Sequence, residues 1–125
     1  MNMQKNNLVI ARRAEEFVAN ILVKQGWEIL ARNFRRVGAE IDIIARKHAT
    51  IAFVEVKYRR YLPETMQDFN QVVTWKKRKA LERGAKAYMQ IKERELPRWE
   101  TLRFDLAVVG FPKGTPGKLR YIAGI

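Results

Sequence analysis

The chain has 125 residues, with 25 Lys and Arg against 13 Asp and Glu and a formal net charge of +12. That length is one domain, residues 1–125, with room for a real core, and that charge suits a polyanion, nucleic acid first. The absence of cysteine and the single histidine exclude disulfides, thiolate zinc sites, cysteine nucleophiles and a Ser-His-Asp triad.

The polar opening, Met1 to Asn7, lacks the apolar core of a signal peptide. No apolar run approaches bilayer length, so a cytoplasmic protein with no membrane association is expected. Leu8 to Gln25 reads as an amphipathic helix. Ile10, Ala14, Phe17, Val18, Ile21 and Leu22 form its stripe, and Gly26 is placed to stop it. At about 100° per residue, Glu15 falls beside the stripe and Glu16 nearly opposite it. Glu15 is then the acid able to reach a pocket at the sheet edge; the competing reading makes both glutamates ordinary surface charges. Trp27 to Phe34 is a predicted strand, with Arg32, Arg35 and Arg36 leading into the turn before Glu40.

Two further strands follow, described below, and then Tyr58 to Val73, which reads as a loop or a frayed helix start. Thr74 is the predicted N-cap of a helix running to about Glu95, with Leu81, Ala85, Tyr88 and Ile91 on its inner face. Its early turns carry Lys76, Lys77, Arg78, Lys79 and Arg83. Positive charge at a helix N-terminus opposes the macrodipole, which favours phosphate contact over a plain solvated face. Leu102 to Phe111 is a strand, with Leu102, Phe104, Leu106 and Val108 on one side. Asp105 on the other side reads as structural and paired with an arginine. Leu119 to Ala123 closes the chain after a Pro- and Gly-rich turn. The order α-β-β-β-α-β-β predicts an α/β fold, a mixed sheet flanked by helices on both faces.

The most informative stretch is Ala39-Glu40-Ile41-Asp42-Ile43-Ile44 followed, after a break, by Phe53-Val54-Glu55-Val56-Lys57. Both halves alternate polar residues with Ile, Val or Phe, as strands do. Arg46 to Thr50 has the length and polarity of a hairpin turn, and a tip near His48-Ala49 sets Asp42 opposite Glu55. Glu55 and Lys57 leave the same face, in a row with Ile51 and Phe53. Carboxylates opposed on one face repel each other, and a hard divalent cation between them turns that penalty into a binding site. A charged lysine beside such a cation is no ligand, but it can orient water or stabilise charge growing on phosphorus. The plainer alternative is an edge hairpin with solvated charges. The apolar row that Glu55 and Lys57 continue points instead to a pocket rim.

An acidic helix residue, a Glu-x-Asp strand and then a Glu-x-Lys strand resemble the pattern of PD-(D/E)xK nucleases. More closely, the chain resembles the small bacterial YraN family, itself similar to archaeal Holliday-junction resolvases. The resemblance rests on Glu40 to Asp42, Phe53 to Lys57 and Arg103 to Asp105. Weaker support comes from the Glu15 helix, Ile29 to Asn33, and Thr74 to Leu81 with Lys77. It implies a restriction-endonuclease-like fold and Mg²⁺-dependent hydrolysis of DNA phosphodiesters, with Mn²⁺ as a substitute. On the same grounds Asp42 and Glu55 become metal ligands and the Val56 carbonyl a further one. Lys57 becomes the residue that positions water or steadies the transition state, and Glu15 an auxiliary acid. Branched DNA as substrate and a homodimer also follow from the resolvase comparison. The chain departs from the family pattern at Ala14 and Ala39, where glycine is usual, and at Met66-Gln67, where an aromatic-glycine pair is common.

Arg35, Arg36, Arg59, Arg60, Lys76, Lys77, Lys79 and Arg83 are expected to hold phosphates without reading sequence. The alternative is a module that binds DNA or RNA, keeps the fold and performs no chemistry. Asp42 and Glu55 argue against it, because they would repel a phosphate they did nothing to. A basic ribosome-associated or RNA-folding protein is a third reading, and it predicts binding insensitive to Mg²⁺.

Overall fold

Helix α1 (Met3–Lys24) is followed by strands β1 (Glu28–Arg36), β2 (Ala39–Lys47) and β3 (Thr50–Tyr58). Helix α2 (Trp75–Lys92), with a 3-10 turn at Glu93–Glu95, leads to β4 (Thr101–Gly110) and β5 (Lys118–Ala123). This is a computed structural model that describes residues 3–62, 72–96 and 98–125. Most of the loop expected at 58–73, Met66-Gln67 included, therefore lies outside the described residues. Among the described residues, the element order matches the one expected from the sequence.

Local signals set the ends of the elements. Gly26, at φ +92°, donates its N–H to the Val23 carbonyl at 3.0 Å and closes α1. The Thr74 side chain accepts the Lys77 N–H at 3.1 Å and opens α2. Arg35 and Arg36 stand inside β1 rather than in the turn after it. The two-residue tip Val37-Gly38 makes that turn alone, with both residues at positive φ.

The strands form one sheet in the order β1-β2-β3-β4-β5. β3 and β4 run parallel, and the other neighbours are antiparallel. A parallel pair needs a crossover, and α2 lies in it. Ala14, Val18 and Leu22 of α1 cover one face, against Ile43, Ala45, Val54 and Ala107. Leu81, Ala85 and Tyr88 of α2 cover the other, against Ile41, Ile44, Ile51 and Phe53. β3 is thus buried on both sides, as its unbroken apolar run requires.

Gly84 lets α2 approach β2 closely: a Cβ there would stand 3.0 Å from Ile41 Cδ1 and 3.3 Å from Ala39 Cβ. Ile91, expected on the inner face, is 45% exposed, and Met89 is buried in its place. The two flank the Leu81–Ala85–Tyr88 stripe on opposite sides. Among the described residues, no helix is long and apolar enough to cross a membrane.

Candidate active site

The site begins with a break in strand alternation. Residues two apart in a strand normally share a face. Here Ile43 packs on the α1 side and Ile41 on the α2 side. The same switch separates their partners across the ladder, Arg32 opposite Ile43 and Phe34 opposite Ile41. It falls at Asn33 and Asp42. Asn33 has φ +52°, a left-handed conformation that asparagine tolerates better than most residues.

The β2–β3 ladder turns at His48-Ala49, as the sequence predicts, and its last pair is Ile43 with Val54. Asp42 and Glu55 are the next positions along, where pairing has stopped. The gap between the strands is bridged by a side chain: the Val56 N–H donates to Asp42 Oδ2 at 2.8 Å. A residue's N–H and C=O leave an extended strand on the same edge, so the Val56 carbonyl leaves toward the same gap.

Glu55 is 1% exposed. Its Oε1 faces two ammonium groups, Lys57 Nζ at 3.1 Å and Lys77 Nζ at 3.4 Å. Its Oε2 is buried with no hydrogen-bond partner. An ionised carboxylate offers about four acceptor positions, and burying one unfilled is costly. Burial, then the negative charge of Glu55, pushes the Asp42 carboxyl up to about 7, against the pull of the Val56 N–H. Burial also raises the Glu15 carboxyl, partly offset by the Asp42 side chain beside it. Asp42 and Glu15 are therefore both held above the usual carboxylate range at the edge of the site.

These groups line a cleft of about 460 Å³ at the edge between α1, the β1–β2 switch, the end of β3 and the start of α2. Glu15 reaches it from α1, while Glu16 is turned away and pairs with Arg32 at 2.7 Å. Arg35 lines the cleft and pairs with Glu40 at 3.2 Å. Arg36 and Lys77 line an adjoining depression with Gly38 and Ala80. Lys77, read from sequence as one cation in a basic run, turns inward to Glu55. Lys76, Lys79 and Arg83 line neither hollow. Arg59 folds back to donate to the Tyr58 carbonyl at 2.8 Å, and Arg60 lies over the Tyr61 ring. Sequence reasoning missed Arg12, whose signal was its place one turn before Glu15. It also missed the role of Asn33, whose signal was an asparagine inside an otherwise regular strand.

Among the described residues, no three acidic or histidine side chains are already gathered into a metal-ligating group. Mg²⁺ does not need that many: one or two carboxylates, water and substrate phosphate suffice. Asp42 and the unfilled Oε2 of Glu55 meet that requirement, with the Val56 carbonyl on the same edge. A divalent cation would offset both the burial of the Asp42 charge and its repulsion by Glu55, so the donor set fits such an ion.

Comparison with known proteins places most of this cleft's lining inside a recognised family stretch. The model described as Uncharacterised protein family UPF0102 matches residues 14–109, which include Glu15, Asp42, Glu55, Lys57 and Lys77. A UPF0102 protein of Trichlorobacter lovleyi is 38% identical over 119 residues, covering 94% of this chain and 90% of the relative. One of Lachnoclostridium phytofermentans is 36% identical over 104 residues, covering 83% and 85%. Another, of Dictyoglomus turgidum, is 36% identical over 110 residues, covering 87% and 89%.

Proposed function

The chain belongs to the uncharacterised protein family UPF0102, the YraN family, and we propose that its cleft hydrolyses DNA phosphodiesters with a bound divalent cation. The observation that carries this reading is Glu55: a carboxylate inside the fold, held by two lysines on one oxygen and unpartnered on the other. A purely structural acid would have both oxygens satisfied.

Asp42 and Glu55 would hold Mg²⁺ or Mn²⁺, with the Val56 carbonyl as a further ligand. Bound there, the ion would supply Lewis acidity toward a water and the phosphate. Lys57 and Lys77 set two positive charges beside the pair, where charge grows on a phosphorane. Lys57 is the residue proposed to orient the attacking water. Glu15, its carboxyl raised by burial, stands at the cleft margin as the proposed auxiliary acid. Arg35 and Arg36 continue the positive lining toward the β1–β2 tip and suit the phosphates of the same strand. The fold proposed is the restriction-endonuclease-like one. Branched DNA as substrate and a homodimer that cuts two strands are carried by the resolvase resemblance.

The test is cleavage of labelled junction, flap, duplex and single-stranded DNA in Mg²⁺, Mn²⁺ or EDTA, with Glu55→Gln beside the wild type. Metal-dependent cutting by wild type alone is expected. Tight binding without cutting by either protein would replace this proposal with the binding module.

A further inference from the structure

Two aromatic rings stand out from the rest of the surface. Trp75 is 75% exposed and Tyr61 80% exposed, whereas Trp27 and Trp99 are partly buried against the core. Tryptophan is on average well buried, and a single exposed ring would need no explanation. These two share further features. A cation covers each: Lys79 Nζ is 5.6 Å from the Trp75 centroid, and Arg60 Cζ is 5.7 Å from that of Tyr61. At these exposures the opposite ring face is open to water.

Each ring is also tied to one of the two lysines that meet at Glu55. Trp75 opens α2, and Lys77, in the same turn, reaches Glu55. Tyr61 follows Lys57 by four residues, at most about 14 Å of extended chain. Lys76, Arg78 and Lys79 are exposed around Trp75. Open aromatic faces set among surface cations beside a cleft match one ligand chemistry, a sugar-phosphate chain with free base faces. In an uninterrupted duplex the base faces already stack on each other, so such platforms select unpaired strands.

We propose that Trp75 and Tyr61 are stacking platforms for unpaired nucleobases, so that the cleft takes a strand whose flanking nucleotides are single-stranded. The proposal rests on the nucleic-acid reading of the cleft but not on its chemistry. It narrows the substrate to single strands, flaps, loops or the open centre of a junction.

Fluorescence anisotropy in EDTA tests it without any cleavage. The probes are a labelled oligothymidylate, an abasic oligomer of equal length carrying the same phosphates, and a blunt hairpin duplex. The wild type should bind the oligothymidylate about tenfold or more tighter than the abasic strand. Trp75→Ala should lose about tenfold on the oligothymidylate and nothing on the abasic strand, and Tyr61→Ala should shift affinity the same way. Trp75→Phe should keep most of the wild-type affinity. The dependence of affinity on salt should be unchanged in all three variants, since no phosphate contact is removed. Both side chains are exposed, so thermal unfolding should match wild type and certify the fold. Equal affinity for thymidylate and abasic strands, an unaffected Trp75→Ala, or no strand binding by wild type would each overturn the proposal. Stacking without metal-dependent cleavage would remove the nuclease reading alone. Cleavage by a protein indifferent to abasic sites would remove the stacking alone.

Discussion

Asp105 and Glu55 are buried carboxylates on adjacent parallel strands, one register step apart. Asp105 stands opposite Val54, and each of its oxygens is occupied. Arg103 Nε donates to Oδ1 at 2.9 Å and its NH2 group to Oδ2 at 3.0 Å, while the Gly124 N–H and the Tyr121 hydroxyl take the remaining positions. Arg103 in turn lies over the Trp27 ring. Burial and the Asp105 carboxylate hold the Tyr121 hydroxyl far above its usual range, so it stays a donor. Asp105 thus ties β5 and the chain end to the sheet, in the structural role expected of it. Glu55 has two cations on one oxygen, nothing on the other, and an acid next to it. The difference separates an acid whose every oxygen position the fold fills from one with an oxygen the fold leaves unfilled.

Breaking Glu55 should have the largest effect, and on function only. Glu55→Gln is expected to lower metal-dependent cleavage by about a thousandfold or more, on the order of 4 kcal/mol in the barrier. Its unfolding free energy in EDTA should change by less than about 1 kcal/mol, because relief of the unfilled Oε2 and of the repulsion with Asp42 offsets the lost pairing with Lys57 and Lys77. Urea unfolding beside a cleavage assay checks both halves.

The converse substitution, Asp105→Ala, should cost about 3 kcal/mol of stability by stripping Arg103, Tyr121 and the Gly124 N–H of a shared partner. Cleavage at a temperature where the variant is folded should match wild type. A specific activity lost in proportion to Glu55→Gln would erase the contrast.

The Asp42 carboxyl sharpens it through pH. Its value of 3.8 in a free carboxyl rises to about 7 in the fold, so the folded state binds this proton more tightly. That contribution to stability is complete below about pH 4 and lost as pH rises through about 7. In EDTA, the wild type should therefore lose on the order of 4 kcal/mol over that window relative to Asp42→Asn. Mg²⁺ should restore stability toward the upper end, where Asp42 loses its proton. Parallel pH profiles for the two proteins would show that the cluster does not store this repulsion.

The smallest effect concerns redundancy. Lys77→Met should lower stability by less than about 1 kcal/mol, since Lys57 stays 3.1 Å from Glu55 Oε1. A loss as large as that of Asp105→Ala would mean that Glu55 depends on both lysines as Asp105 depends on its partners.

Much of this arrangement was legible from residue order, because it follows from local geometry. The three-and-four stripe of α1 separates Glu15, at the cleft, from Glu16, paired with Arg32 outside it. The equal distances of Asp42 and Glu55 from His48-Ala49 set the hairpin register. Thr74 marks the start of α2, and Asp105 is paired with an arginine. Each of these depends only on neighbours a few residues away or across one turn.

What the sequence determined by itself is therefore the order of the described elements, the stop at Gly26 and the start at Thr74, and the side from which Glu15 and Glu55 leave their own helix and strand. The tertiary structure alone decided which of those acids would meet, and with what. Gly84 lets α2 settle close on β2, and Lys77 at its first turn reaches Glu55, while Lys76, Lys79 and Arg83 of the same run stay outside. Asn33 and Asp42 turn both strands over at the point where β3 leaves the ladder. The physical reason is distance along the chain. Periodicity reports the face of one element, but the contact between elements is fixed by how their whole surfaces pack, and no short stretch encodes that.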